Sequence, residues 1–188
     1  MKLNKYKLGD LITLSEARNT NGDLGEAAVV GLATSKQMIA TKADLEGVNL
    51  ASYKLFPPRH FAYVPDTSRR GDKMSLGYNI TDQTFLVSSI SLVFQVSKIE
   101  ELDADYLYMY FNRPEFDRYA RFNSWGSARE AFSWDDMCDM EITLPPIEVQ
   151  RKFASVFTAM NRSEAYRTKI VNICSILIKG SLEEAAGT

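Results

Sequence analysis

The 188-residue sequence has one histidine, His60, and two widely separated cysteines, Cys138 and Cys174. A histidine-rich metal site is therefore excluded, and the cysteines have neither zinc-ligand spacing nor the density of a disulfide framework. Small thiols beside apolar neighbours suit a reduced, cytosolic protein. No glycine-rich loop leads into Lys-Ser or Lys-Thr to cradle phosphates, and no dinucleotide fingerprint occurs. No apolar run approaches the roughly 20 residues of a membrane span. The start, MKLNKYKLGDLITL, has lysines but lacks the apolar core and cleavage-like site of a signal peptide. There is no excess of one charge either. With 22 basic and 24 acidic side chains the formal net charge is −2, which excludes a strongly basic nucleic-acid coat and leaves room for a local basic face. Residues 130–188 hold six basic and nine acidic groups, so a DNA-facing surface is expected in the first 129 residues.

Catalytic constellations are equally scarce. Asp135, Asp136 and Asp139 are close in sequence, but they stand at a helix start without the spaced lysine that a paired-carboxylate nuclease requires. His60 could serve catalysis only beside a serine or cysteine brought to it from a distant part of the sequence. The pattern reads as binding, not turnover.

The stretch from Glu141 to Leu182 organises the chain. An alternating run with Met140, Ile142 and Leu144 reads as a return strand that stops at Pro145 and Pro146. Two prolines suit the first turn of a helix, where backbone donors have no partner. Val149, Phe153, Val156 and Met160 then recur at intervals of four, three and four. Ile170, Cys174 and Leu177 continue the stripe after a polar break at Ser163 and Arg167. Such a helix either lies on its own domain or pairs as a coiled-coil spacer with a second copy or a partner.

Upstream, Tyr6 to Ile12 reads as an extended entry, a Gly-Asp turn and a second element. Residues 15–26 read as a loop or exposed hairpin, and Ala27 to Leu32 as a compact strand. Arg59 and His60 precede a strand of Phe61, Ala62, Tyr63 and Val64, and Arg69, Arg70 and Lys73 follow in a loop. Loops of this kind place guanidinium groups against phosphates or guanine edges; equally, the arginines can meet aspartates of their own loop. Thr84 to Val96 is the strongest strand signal, two strands or one bent strand at the centre of a sheet. Asp105 to Phe122 reads as helix, with Pro114 starting a second helix or kinking the first. Tyr119, Arg121, Phe122 and Trp125 set aromatics beside basic groups, either as core or as a stacking surface. Ser133 is placed to cap a short helix from Trp134, with Asp136 as the reciprocal carboxylate.

The string Leu144-Pro145-Pro146-Ile147-Glu148-Val149-Gln150-Arg151-Lys152-Phe153-Ala154 resembles the P-L-P-P-L-E-E-Q-x-x-I-A segment of specificity subunits of type I restriction–modification systems. In that family the segment lies where a target-recognition domain meets a spacer helix. Tyr6 to Leu11 resembles the family's opening, a short strand before L-G-D. The Phe61–Tyr63 strand, the Ser88–Phe94 run, the Tyr106–Tyr108 helix and the Gly126–Arg129 loop followed by Phe132 fit the rest of its path. One departure stands at Arg59-His60, where relatives often place a glycine before the strand.

The resemblance implies a mixed α/β (α+β) target-recognition domain over residues 1–145. It is followed by a spacer helix over 146–188 that pairs as an antiparallel coiled coil. It further implies a non-catalytic DNA-recognition subunit, cytoplasmic in a prokaryote, of which this sequence covers one half: a naturally half-sized subunit expected to self-associate through its last helix, one cassette of a larger gene, or a fragment. Double-stranded DNA, an N6-adenine methyltransferase subunit and a restriction subunit would be its partners. It would have no cofactor of its own, with S-adenosylmethionine, ATP and magnesium on the partner subunits. Arg59, Arg69, Arg70, Lys73 and Arg129 are the leading DNA-contact candidates, with Asn123, Trp125 and Ser127 beside them. Lys36 and Lys42 are candidates for backbone contact. Pro145, Pro146, Gln150, Phe153, Val156, Met160, Ile170 and Leu177 are the assembly candidates. A protein-interaction adaptor without DNA contact, and less readily a small nuclease, remain the alternatives.

Overall fold

A computed structural model describes residues 3–67, 73–126, 130–161 and 163. At its centre is an antiparallel four-stranded sheet. Its order is β2 (Ile12–Ser15), β9 (Leu92–Val96), β6 (Phe61–Tyr63) and β7 (Leu76–Tyr78). Phe61 pairs with Phe94 on one side and Tyr78 on the other. Successive side chains of a strand point to opposite faces, and here both faces are covered. Phe61, Tyr63 and Phe94 belong to the main core, while Ala62 and Val93 belong to a second cluster with Phe56 and Val87. This two-sided covering explains why all three residues of β6 are buried.

The second face packs against two short ladders. These are β3 (Val30–Leu32) with β4 (Met38–Ala40), and β5 (Lys54–Phe56) with β8 (Phe85–Val87). The expected strand pair within Thr84 to Val96 is therefore present, but only its second member lies inside the central sheet. The expected strand at Ala27 to Leu32 is shortened, because Glu26–Ala28 forms a 3-10 turn.

Three helices cover the first face: α1 (Ala104–Phe111), α2 (Pro114–Phe122) and α3 (Trp134–Cys138). Asp103 caps α1 by accepting from Tyr106 N at 3.0 Å. Pro114 opens α2 as a separate helix, and Leu107, Phe111, Phe116 and Ala120 point into the core. Ser133 and Asp136 form the reciprocal cap on α3. Gly9 lies against α3 so closely that a Cβ there would stand 2.7 Å from Cys138 Cβ. This close approach accounts for glycine in the opening Leu-Gly-Asp.

Strands β1 (Asn4–Lys7) and β10 (Glu141–Leu144) pair antiparallel, Tyr6 opposite Ile142. The start of the chain is thereby tied to the segment that leads into the last helix. That helix, α4, occupies 147–161 of the described residues. Among the described residues no helix is long and apolar enough to cross a membrane.

Candidate nucleic-acid interface

Two loops far apart in sequence are fastened side by side at one end of the β6–β7 hairpin. Thr67 N donates to Glu130 O at 2.9 Å and Phe132 N to Pro65 O at 2.9 Å. Trp125 and Ala131 exchange backbone hydrogen bonds of 3.1 and 3.0 Å, and Asp66 bridges to Ala131. The loop after β6 and the loop after α2 thus share a backbone ladder. Helix α2 joins them, because Asp117 Oδ1 accepts Met74 N at 2.9 Å. Lys73, next to that bond, is exposed. Arg69 and Arg70, and Ser127 and Arg129, lie outside the described residues, between these anchors in sequence.

Around the ladder stand further exposed groups. Phe122 is 77% exposed and Trp125 66% exposed. Arg121 pairs with Glu130, and Arg118 with Glu115 at 3.1 Å. Arg118 escaped the sequence reading; its i,i+3 spacing from Arg121 on the outer face of α2 is the signal that would have found it. Asn123 is half-buried and donates to Tyr119 O at 2.9 Å, closing the last turn of α2.

Arg59 is not part of this group. In the β6–β7 hairpin, Tyr63 faces Leu76 at the end that leads into the ladder, and Phe61 faces Tyr78 at the other. Arg59 N donates to Asn79 O at 2.8 Å, which places it beyond the second end. Its guanidinium meets Asp105 of α1 at 3.1 Å and stands over the Tyr78 ring. Tyr78 itself donates to Asp105 at 2.9 Å, and burial raises its pKa. The arginine thus meets an aspartate, but one on a helix and not in its own loop. Its φ of 62° is left-handed, the conformation for which glycine has no steric cost. This explains the resemblance's glycine at a position where this chain has arginine.

Lys36 is also corrected. Expected at the DNA backbone, it is buried, with its ammonium donating to Met74 O at 2.9 Å and Asp117 Oδ1 at 2.5 Å. Burial, outweighing the Asp117 charge, lowers its pKa. It fastens the turn between β3 and β4 to α2. Lys42 is exposed.

The assembly candidates divide between two faces of α4. Phe153, Val156 and Met160 are 54, 59 and 66% exposed, so within the described residues the stripe does not lie on its own domain. The opposite face does. Gln150 and Ala154 are buried and Phe157 meets Tyr108 ring to ring at 6.1 Å. Gln150 and Pro145 are thus internal and position the helix rather than present a surface, while Pro146 is exposed. Gln150 Nε2 donates to Glu101 O at 2.8 Å and Pro145 O at 2.9 Å, and its Oε1 accepts from Asp103 N at 3.0 Å. Ile170 and Leu177 lie outside the described residues.

Among the described residues no three His, Cys, Asp or Glu side chains group to hold a metal ion. Asp136 is occupied in the α3 cap, and burial followed by Asp135 and Asp139 raises the Cys138 thiol.

The fold is similar to that of part of solved S subunits of type I restriction–modification systems. The HsdS subunit from Thermoanaerobacter tengcongensis matches with a TM-score of 0.61 at 16% identity, over 88% of this chain and 44% of that one. The type I S subunit from M. genitalium matches at 0.53 and 11%, over 86% and 39%. A chain from a structure of type I R-M complex assembly and conformational transition matches at 0.50 and 13%, over 87% and 39%. The likeness is one of fold, and the chain spans less than half the length of each of these relatives. No protein-family model matches the chain, and no curated protein matches its sequence.

Proposed function

We propose that this chain is a sequence-specific DNA-recognition subunit of a type I restriction–modification complex, or half of one, and is itself non-catalytic. The observation that carries this reading is the backbone ladder joining the loops after β6 and α2, on an S-subunit fold. In sequence the joined segments, 66–73 and 121–130, hold five basic and three acidic residues in a chain of net charge −2. Local concentration of positive charge on loops held by a rigid sheet is what phosphate contact requires. Residues 1–145 form the target-recognition domain, with Arg69, Arg70, Lys73 and Arg129 as its leading DNA contacts.

Residues 146–188 form the spacer helix. The exposed Phe153, Val156 and Met160 are its association stripe, continued by Ile170 and Leu177, and a second copy pairs with it as an antiparallel coiled coil. A half-length chain restores two-fold geometry in this way, and its DNA target is then split and palindromic. The methyltransferase and restriction subunits assemble on the pair and carry S-adenosylmethionine, ATP and magnesium.

Sedimentation velocity of the chain, alone and with its methyltransferase subunit, tests the assembly. Two copies per particle are expected, reduced to one by Phe153→Asp; a variant that assembles like the parent refutes the stripe. DNA footprinting of the assembled complex separates this reading from a protein-only adaptor, for which no protected bases would be found.

A further inference from the structure

The exposed aromatic pair beside the ladder has a different character from the charges around it. Phe122 ends α2 and Trp125 follows three residues later, and both turn most of their surface to solvent. Isolated apolar side chains on a surface are ordinary. Here, however, the backbone beneath them is held firmly. Trp125 exchanges two hydrogen bonds with Ala131, Ser124 Oγ donates to Ala120 O at 2.6 Å, and Asn123 closes the helix end. A large indole on a fixed backbone has little ordering entropy left to lose on contact. The other tryptophan, Trp134, packs against Phe94 at 5.5 Å, so Trp125 is the exposed one of the two.

Resting on the DNA-recognition reading, we propose that Trp125, flanked by Phe122, makes direct apolar contact with the bases, while Lys73 and Arg121 engage the phosphates on either side. Charge favours DNA as the occupant over an apolar protein groove. Arg118 and Arg121 are exposed on the α2 turn that ends in Phe122, and Lys73 is exposed beside the Met74–Asp117 bond of the same helix. Phosphates would compete with Glu130 and Glu115 for the two arginines. Division of labour follows from chemistry. Cationic groups contribute a salt-dependent and sequence-independent affinity, whereas apolar contact with a base edge, such as the thymine methyl in the major groove, is short-range and carries no charge for salt to screen.

The test uses the full chain and the duplex it enriches from a random-sequence pool, at low ionic strength, read by gel shift and by acrylamide quenching of tryptophan fluorescence. DNA is expected to shield the quenchable indole. Trp125→Ala is expected to weaken binding about tenfold, the loss from exposing some tens of Å² of apolar contact, with the slope of affinity against salt unchanged, and Trp125→Phe to recover most of the loss. Lys73→Ala, in contrast, should lower that slope by about one. Binding that leaves the indole as quenchable as before, or that Trp125→Ala does not weaken, overturns the aromatic contact while DNA recognition stands. Absence of any duplex binding overturns both.

Discussion

Replacing Gln150 tests whether α4 is anchored as its contacts indicate. The side chain is fully buried and satisfies one N–H and two C=O groups from two segments: Glu101 and Asp103 in one, Pro145 in the other. Asp103 is also the cap of α1, so the amide couples the start of α4 to the start of α1. Gln150→Ala removes three hydrogen bonds worth about 1 kcal/mol each. It also leaves three buried backbone groups that water reaches only in part, so the expected loss is about 3–5 kcal/mol. That is a large share of the roughly 5–15 kcal/mol stability of a typical domain.

Gln150→Glu is the sharper variant, because shape is kept and chemistry inverted. Its carboxylate faces two carbonyl oxygens and keeps only the Asp103 N–H. Burial and those carbonyls push the new carboxyl's folded pKa above its unfolded value of about 4.3. The folded state therefore binds more protons in that interval, and the deficit is complete at neutral pH and shrinks as pH falls through the raised value. Urea unfolding with linear extrapolation measures both variants. A loss below about 1 kcal/mol for Gln150→Ala, or a Gln150→Glu deficit that is the same at about pH 7 and about pH 5, would refute the anchoring argument.

Asp117→Asn strands the Lys36 ammonium in the interior and should cost about 3–5 kcal/mol, whereas the double variant Lys36→Met with Asp117→Leu should cost less, since it removes both charges and leaves only the Met74 N–H and C=O without these partners; urea unfolding reads both. Because folding lowers the Lys36 pKa, the unfolded chain binds more protons, so this group's contribution to stability should rise as pH climbs from the lowered value toward about 10.5. The parent-minus-Lys36→Met difference isolates it from Tyr63 and Tyr78, whose raised pKa values act in the opposite direction at alkaline pH. Tyr63→Phe removes a buried hydroxyl that has no hydrogen-bond partner among the described residues; its melting temperature should equal or exceed the parent's, and a drop would reveal a partner. Arg59→Gly should leave stability within about 1 kcal/mol, since relief of the left-handed backbone offsets loss of the Asp105 pair and the Tyr78 contact. Duplex affinity in the gel shift should be unchanged, and a marked loss would place Arg59 at the DNA after all.

What was legible in the sequence is what short-range chemistry decides. Ser133 and Asp136 cap α3 within four residues, Pro114 separates two helices, and Ile142 and Leu144 alternate because one side of their strand meets the core. Where a segment's partner is distant the same reasoning has no purchase. Nothing local to Lys36 marks it as buried, because the carboxylate that holds it comes from α2 and the carbonyl from Met74. Likewise, Thr84 to Val96 is apolar throughout, yet only β9 joins the central sheet, since β5 competes for β8.

The last helix shows both limits within one turn. Phe153, Val156 and Met160 announce a face by their spacing alone, and that face is exposed as far as the described residues run. Gln150, on the opposite side, is marked in sequence by the family resemblance alone, and there as an assembly residue. Its function depends on backbone groups of Glu101 and Asp103, some fifty positions earlier in the chain, and on Pro145 in its own approach. An amide is suited to that position because it offers two donors and an acceptor without charge; lysine lacks the acceptor and glutamate the donors. The proline–glutamine spacing is therefore a docking joint. It sets the direction in which α4 leaves the globular part, and with it the side on which the exposed stripe is presented.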